Sequence, residues 1–213
     1  KRVAWIVGGV RGLGVMVAKG LAEDGYDIAL NYRSSREEAE GLVGELQIMG
    51  CEAFLCQGDA AHLSDVSRMA SDIVRHYGRV DVIVCAAGPF IFNPTKLVDY
   101  TTEQWNHMVS GNISSVFYCI REIIPIMRQQ RYGRIITFGF SGIDQIPPWV
   151  EYGAYAAAKV GVASLTRTLS KEEAQYGITV NMICPGDIRD PYKESTIEYA
   201  REEKERWSPI GRA

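Results

Sequence analysis

The sequence predicts an α/β fold: a doubly wound parallel sheet with helices on both faces, which gives a three-layer α/β/α domain. Three observations predict it. Short apolar runs alternate with longer segments of helical periodicity along most of the chain. The short runs are apolar along their whole length, as the strands of a parallel sheet are when helices cover both faces. A glycine-rich turn joins the first of these runs to the first helical segment.

Six strands are expected, at 2–8, 26–32, 52–58, 80–86, 133–139 and 178–184. Helices are expected between them, at 12–24, 35–49, 62–76, 102–130 and 152–175. This regular alternation favours parallel pairing, because each helix returns the chain to the edge of the sheet where the next strand begins. No internal repeat, low-complexity segment or linker divides the chain, so we predict a single domain over its 213 residues, 1–213.

Composition limits the classes of function. Hydrophobic residues at 46% and charged residues at 23% are typical of a soluble globular protein. A net charge of -3 lacks the basic excess that nucleic-acid binding needs. The apolar runs 3–7 and 80–87 are far shorter than the roughly 20 residues that span a bilayer, and the N-terminus shows no signal-peptide pattern. We therefore predict a cytoplasmic protein with no nucleic-acid or membrane partner.

The cysteines are interpreted as reduced, packed thiols. They are odd in number, lie mostly in apolar segments, and form no Cys-x-x-Cys pair or cluster with histidine at metal spacing. No metal site is predicted.

The glycine-rich turn has the spacing G-x-x-x-G-x-G, at Gly8, Gly12 and Gly14. Such glycines let the backbone turn sharply and approach a pyrophosphate at the N-terminus of the following helix. This pattern is typical of a Rossmann-type fold. The alternative is a tight connection between strand and helix that binds nothing.

The end of the second strand suggests which dinucleotide is bound. An NAD site normally has a carboxylate there, but residues 31–36 read Asn-Tyr-Arg-Ser-Ser-Arg. Arg33, with Arg11 in the glycine loop and Arg36 as a third candidate, suits the 2′-phosphate of NADPH, because guanidinium groups pair with phosphate oxygens. We predict NADPH in preference to NADH; ordinary solvated arginines are the alternative.

Tyr155 and Lys159 lie four residues apart in an alanine-rich helical segment, so they share a face. A tyrosine has a pKa of about 10. An ammonium about 4 Å away, at an effective dielectric of about 20, favours the phenolate by roughly 4 kcal/mol, or about three pKa units. The tyrosine is then able to exchange protons near neutrality. The alternative is a tyrosine that covers the stem of a surface lysine.

The glycine loop and the Tyr-Ala-Ala-Ala-Lys motif at 155–159 together resemble the short-chain dehydrogenase/reductase family over nearly the whole chain. Within that family, the sequence is most similar to the bacterial 3-oxoacyl-carrier-protein reductase group. Further landmarks follow in the family's order: Asp59 with Ala60, Cys-Ala-Ala-Gly at 85–88, Asn112, and Cys-Pro-Gly-Asp-Ile at 184–188.

The resemblance implies roles for these residues. Tyr155 would protonate the carbonyl oxygen as hydride leaves the nicotinamide, Lys159 would lower the pKa of Tyr155 and hold the nicotinamide ribose, and Asn112 would shape a water-linked proton relay. The cofactor-binding residues it implies are Gly8, Arg11, Gly12, Leu13, Gly14, Arg33, Asp59, Ala60, Ala86, Gly88, Tyr155, Lys159, Pro185, Gly186 and Ile188.

The sequence departs from the family pattern at several positions. The family's active-site serine is expected at Phe140, with Ser141 one residue later as the candidate fourth catalytic residue. Cys85 and Ala86 replace two asparagines that brace the sheet beside the cofactor, and Val7 replaces a frequent threonine. The resemblance also implies a last helix and strand, which we expect the given residues to lack. The resemblance further implies a homotetramer or homodimer formed through the long helices.

The predicted function is NADPH-dependent reduction of a small-molecule carbonyl substrate to an alcohol, with Tyr155 as general acid and a 3-oxoacyl thioester among the candidate substrates. One alternative is a regulatory or scaffold protein that binds NADPH with little turnover. Another is a pteridine or sugar-alcohol oxidoreductase of the same fold. Aromatic residues expected near the pocket suggest an apolar or aromatic substrate: Phe90, Phe92, Phe140, Trp149 and Tyr192. Packing in the hydrophobic core is the alternative for each of them.

Overall fold

The computed structural model describes residues 1–186. Its six strands are β1 Val3–Val7, β2 Asp27–Tyr32, β3 Ala53–Gln57, β4 Val82–Cys85, β5 Gly133–Phe138 and β6 Ile178–Ile183. Its α-helices are α1 Leu13–Glu23, α2 Arg36–Ile48, α3 Leu63–Tyr77, α4 Thr102–Val109, α5 Ser115–Gln130 and α6 Gly153–Glu172. The six predicted strands are confirmed, each within two residues of its expected bounds at either end.

The strands form one parallel sheet in the order β3-β2-β1-β4-β5-β6. The direction of winding reverses after β3, because the chain then crosses to the other side of β1. β1 and β4 are therefore neighbours, with Val7 paired to Cys85 at their carboxyl ends. Ligands of open α/β sheets bind outside such a reversal point, so the candidate site is expected at the ends of β1 and β4.

Two hydrophobic cores lie on opposite faces of the sheet. Trp5 and Ile83 pack with residues of α3 and α5. Ile6 and Val84, one residue further along the same strands, pack with residues of α1 and α2. All five β1 residues are buried, because helices cover both faces. The three-layer α/β/α arrangement predicted from the wholly apolar strands is confirmed.

The helix predicted over 102–130 is interrupted. A π-helical turn, Ser110–Ser114, separates α4 from α5. Inside it, Asn112 donates from Nδ2 to the carbonyl oxygens of Met108, at 3.1 Å, and Pro89, at 3.0 Å. The side chain thus binds the Met108 carbonyl oxygen, which in a regular α-helix would accept from the Asn112 backbone N–H. π-helical turns are frequent at functional positions. The turn also fixes Asn112 next to the loop that follows β4.

Three further features of residues 1–186 bear on function. None of their helices is long and apolar enough to cross a bilayer. They contain no group of three or more histidine, cysteine or acidic side chains placed to hold a metal ion. Their five cysteines form no disulfide, and burial raises the pKa of Cys56 and of Cys85 to about 12, so both thiols stay protonated and unreactive.

Candidate active site

The glycine loop between β1 and α1 is built for close backbone approach. Gly8 and Gly12 have positive φ angles of 77° and 56°, which favour glycine. A Cβ atom on Gly14 would lie 2.4 Å from the carbonyl oxygen of Gly8, and one on Gly8 would lie 2.7 Å from the backbone of Ala87. The loop therefore packs against the segment after β4, and α1 begins directly behind it at Leu13.

Asn31 braces this loop, and sequence reasoning missed it. Its side chain is 3% exposed at the end of β2. Oδ1 accepts from the Gly8 N–H at 3.1 Å, while Nδ2 donates to the carbonyl oxygen of Gly58 at 2.9 Å. One amide thus joins the glycine loop to the loop after β3. A polar residue near the end of the otherwise apolar run 26–32 was the available signal.

Asp59 and Ala60 lie on the loop after β3, as predicted for residues near the adenine ring. The carboxylate of Asp59 accepts from the Ala61 N–H at 2.9 Å, and the Asp59 N–H donates to Asp65 at 2.8 Å. That backbone hydrogen bond, with a smaller contribution from the neighbouring arginine on α3, lowers the pKa of Asp65. Arg33 lies 3.6 Å from the Asp59 carboxylate, so the ends of β2 and β3 are also linked by charge.

The predicted phosphate-binding arginines are exposed, and each is paired with a carboxylate. Arg11 lies 2.5 Å from Glu38 of α2, between Nη2 and Oε1. Arg36 lies 2.7 Å from Glu40, one helical turn away. With Arg33 bound to Asp59, all three arginines carry a negative neighbour. A 2′-phosphate would have to compete with these carboxylates for the guanidinium groups.

Tyr155 and Lys159 lie on α6 and face the site together, as predicted. Lys159 is only 6% exposed, and its Nζ donates to the Phe138 carbonyl oxygen at 3.2 Å. Nζ lies 5.7 Å from the centroid of the Tyr155 ring. Burial lowers the pKa of Lys159 to about 8, because desolvation disfavours the ammonium. A surface lysine covered by a tyrosine, the alternative reading, does not match this burial.

The prediction that Lys159 lowers the pKa of Tyr155 is wrong for the protein chain alone. Burial raises the pKa of Tyr155, since the phenolate would lose its hydration among apolar groups. The ammonium of Lys159 does not offset this cost, since its Nζ lies 5.7 Å from the centroid of the Tyr155 ring. Sequence spacing identified the pair but not the burial that changes both groups.

Asn112 completes this corner of the site. Its Oδ1 is buried and accepts no hydrogen bond in residues 1–186. A Cβ atom on Gly88 would lie 2.5 Å from that oxygen and 3.7 Å from Lys159 Nζ. Asn112, Gly88 and Lys159 are therefore close neighbours at the end of β4. A buried acceptor without a partner costs free energy unless a ligand or water supplies a donor, so this oxygen marks a binding position.

Aromatic rings surround Tyr155. The Phe90 ring meets it edge to face at 4.9 Å between centroids, and the rings of Trp149 and Phe140 lie at 5.6 Å and 6.4 Å. Phe92 in turn contacts Phe90 at 5.2 Å. Four of the five aromatic residues predicted near the pocket thus gather around the tyrosine.

The chain matches the family model for short chain dehydrogenase over residues 2–199. It belongs to the short-chain dehydrogenase family. The Bacillus subtilis (strain 168) protein YtkK, named as an oxidoreductase, is 44% identical over 100% of this chain and 84% of its own length. The 3-oxoacyl-[acyl-carrier-protein] reductase FabG of Staphylococcus epidermidis is 37% identical over 87% of this chain and 74% of its own length.

Solved structures agree with this assignment. A 3-oxoacyl-reductase structure from Bacillus thuringiensis superposes with a TM-score of 0.90 at 40% identity, covering 94% of this chain and 83% of that one. A metagenomic short-chain oxidoreductase in complex with NADP gives a TM-score of 0.82 at 26% identity, with coverages of 87% and 82%. The chain is thus an NAD(P)-dependent oxidoreductase of the short-chain dehydrogenase family.

This short-chain dehydrogenase has an aromatic ring where the resemblance places a serine. Phe140 is 5% exposed and lies beside Tyr155. Ser141, the next residue, is exposed on the turn that follows β5. Since Ser141 is exposed and the neighbouring ring belongs to Phe140, the catalytic role of Ser141 stays a prediction.

The two replaced asparagines are compensated by backbone hydrogen bonds. The N–H groups of Ala86 and Ala87 both donate to the Val7 carbonyl oxygen, at 2.9 Å and 2.8 Å. These bonds hold the end of β4 against β1, although the side chains of Cys85 and Ala86 offer no comparable bracing.

The loop after β6 is described only in part. Pro185 is half-buried and Gly186 is exposed. Ile188 and Tyr192, predicted to contact the cofactor and the substrate, lie outside the described residues.

Proposed function

We propose that the chain is an NADPH-dependent reductase that converts a carbonyl compound to an alcohol, with Tyr155 as the proton donor. One observation carries the proposal. Tyr155 and the buried Lys159 project from α6 to the same corner as Gly88 and the unpartnered Oδ1 of Asn112, at the carboxyl end of β4. This is the crevice in which an α/β sheet of this topology binds its ligand.

The residues present fit a nicotinamide dinucleotide. Because Gly8 and Gly14 have no Cβ, the loop packs tightly on itself and on Ala87, which brings its backbone to the N-terminus of α1, an end that suits a pyrophosphate. When bound, the cofactor supplies a hydride. We propose that it is held by Gly8, Arg11, Gly12, Leu13, Gly14, Arg33, Asp59, Ala60, Ala86, Gly88, Tyr155, Lys159, Pro185, Gly186 and Ile188.

The protonation states favour reduction. Because burial raises its pKa, Tyr155 holds its proton at neutral pH and is able to give it to a carbonyl oxygen. Lys159, with a pKa of about 8, carries charge at neutral pH and stabilises the phenolate that forms. Asn112 Oδ1 is positioned to bind a water that returns a proton, which supports its proposed place in the relay.

The substrate and the assembly are further parts of the proposal. A 3-oxoacyl thioester is a candidate because similar proteins carry the name 3-oxoacyl-[acyl-carrier-protein] reductase. Members of the family are typically oligomeric, and we propose a homotetramer or homodimer for this chain.

The direct test is a turnover assay. Purified protein is mixed with NADPH and, in separate reactions, an acyl thioester, a quinone, a pterin and a small ketone, and loss of nicotinamide absorbance is followed. We expect turnover of at least one carbonyl compound, and faster turnover with NADPH than with NADH. Binding of NADPH without turnover of any substrate would overturn the proposal.

That outcome would support a second candidate function, a scaffold or regulatory protein that binds NADPH. The position of Phe140 beside Tyr155 and the exposure of Ser141 favour this candidate, because a phenylalanine ring offers no hydroxyl to hold a substrate carbonyl.

Glu38 provides a test of the cofactor preference. The variant Glu38→Gln frees Arg11 from its ion pair, so we expect the Kd for NADPH to fall about twofold to fivefold, the range of an exposed ion pair, while the Kd for NADH changes little. Isothermal titration calorimetry with each dinucleotide at low salt measures both values.

The matched control is Glu45→Gln on the same helix. It makes the same change in charge seven residues further on, where the carboxylate pairs with Lys19 at 2.6 Å. Equal effects of the two variants on NADPH affinity would show a general change in charge, and would argue against Arg11 as the residue that binds the 2′-phosphate.

A further inference from the structure

We propose that the site selects carbonyl compounds with a planar aromatic ring next to the carbonyl group, and that Trp149, which packs on the buried ring of Phe140, forms the surface on which the substrate ring stacks. The inference rests on the proposed function, since it names the substrate class of that site. It ranks an aryl ketone or aryl dione above a linear aliphatic substrate.

Two pairs of rings flank Tyr155. In one pair, Phe90 lies nearly parallel to Tyr152, with centroids 5.2 Å apart and planes at 16°. In the other, Phe140 and Trp149 have centroids 4.6 Å apart. Aromatic pairs favour offset stacked or edge-to-face contacts, which add binding free energy beyond that of the area they bury. A substrate whose carbonyl oxygen reaches Tyr155 Oη therefore places the group beside that carbonyl against aromatic carbon.

The segment that carries Trp149 is held in a strained conformation. Ile146 has a φ angle of 50° and Glu151 one of 68°, values that side chains rarely adopt and that are least favourable for a β-branched residue. Such strain persists where the surrounding structure imposes it, often at ligand sites. Glu151 is fixed by its carbonyl oxygen, which accepts from the Thr95 N–H at 3.0 Å. The strained segment keeps the indole against Phe140 and Tyr155.

The aromatic surface continues outward from Tyr155. Phe92 is 73% exposed and meets Phe90 at 77° between ring planes. Its carbonyl oxygen accepts from the Tyr152 hydroxyl at 3.5 Å, which joins the loop after β4 to the start of α6. Val150, 76% exposed, adds apolar surface beside Trp149. An apolar aromatic group would thus remain in contact with carbon from the tyrosine to the edge of the site.

Hydrogen bonding by the rings does not explain their arrangement. The two phenylalanines that flank Tyr155 have no donor, and Trp149 has a single N–H. The Nδ2 group of Asn112 donates both of its described hydrogen bonds to backbone carbonyl oxygens.

In the reaction, the carbonyl carbon accepts the hydride that the cofactor supplies and the oxygen accepts the Tyr155 proton, so a ketone becomes a secondary alcohol. The rings contribute by binding and orienting the substrate.

The test compares 1-phenyl-1,2-propanedione with 1-cyclohexyl-1,2-propanedione, which has a saturated ring of similar size. The measured quantity is the ratio of their kcat/KM values in the wild type, Trp149→Leu and Trp149→Phe. Intrinsic differences in reactivity cancel when the ratio is compared between proteins. We expect Trp149→Leu to lower the phenyl preference by about threefold to tenfold, and Trp149→Phe to retain most of it, because Phe keeps a ring but lacks the N–H.

Trp105→Leu, on α4 and in none of the described ring contacts around Tyr155, is the control and is expected to leave the ratio unchanged. An unchanged ratio in Trp149→Leu would overturn the inference, as would equal losses in Trp149→Phe and Trp149→Leu. Ligand-observed NMR with NADP+ present measures Kd for the two diones in the same proteins. Turnover of neither dione by the wild type would contradict the proposed reaction for these two substrates. In that case, tighter binding of the phenyl compound than of the cyclohexyl compound would still support the stacking surface.

Discussion

Replacing Tyr155 by phenylalanine is expected to lower kcat by about a hundredfold to ten-thousandfold, the usual contribution of a positioned general acid. The ring of Tyr155 lies among Phe90, Trp149 and Phe140, and Phe would preserve these contacts while it removes the proton. The fold and the NADPH affinity should therefore change little. Steady-state kinetics with a carbonyl substrate, together with calorimetric titration of NADPH, separates the two effects.

Tyr152→Phe is the matched control. It removes a phenol hydroxyl three residues earlier, one that donates to the Phe92 carbonyl oxygen at 3.5 Å. We expect its kcat to stay within about threefold of the wild type, the effect of one weak hydrogen bond. Full turnover by Tyr155→Phe would show that another group donates the proton.

Replacing Lys159 by methionine is expected to raise stability and abolish most turnover. Burial lowers the pKa of Lys159 from its usual 10.5 to about 8, so folding buries an ammonium at neutral pH at a cost of roughly 3 kcal/mol. Methionine removes this cost but also the bond from the ammonium to the Phe138 carbonyl oxygen, worth about 1.5 to 3 kcal/mol. The free energy of unfolding at pH 7 should therefore rise, by up to about 2 kcal/mol.

The gain should depend on pH in a defined direction. Between about pH 8 and 10.5, the unfolded wild type binds more protons at Lys159 than the folded protein does, so its free energy of unfolding rises with pH. Lys159→Met lacks this rise, and the difference between the two proteins should narrow from pH 7 to pH 10. Denaturant unfolding measures it, with Lys171→Met, exposed near the end of α6, as control. A loss of stability in Lys159→Met at pH 7 would contradict the buried ammonium.

Local sequence patterns were sufficient to predict the sheet. The strands are apolar on both faces, and short length together with the alternation with helical segments distinguishes runs such as Val3–Val7 from buried helices. The Tyr155 and Lys159 pair followed from helical spacing alone. These features are local in sequence, so they are readable without the structure.

Other features depend on contacts between distant residues and could not be read. The π-helical turn at Ser110–Ser114 arises because Asn112 reaches Pro89, a residue of another loop. Burial raises the pKa of Tyr155. The spacing of residues along a helix does not show how deeply they are buried. The ion pair between Arg11 and Glu38 joins the glycine loop to α2. The guanidinium group predicted to bind a phosphate therefore already has a carboxylate partner.

The central claim is that a nicotinamide hydride reaches a carbonyl carbon while Tyr155 supplies the proton. It is tested most directly with NADPH deuterated at the transferred C4 position and a carbonyl substrate, followed by mass spectrometry and NMR of the product. We expect one deuterium on the new alcohol carbon with the wild type, and almost no product with Tyr155→Phe over the same time. An alcohol without deuterium at that carbon, or equal labelled product from Tyr155→Phe, would contradict the claim.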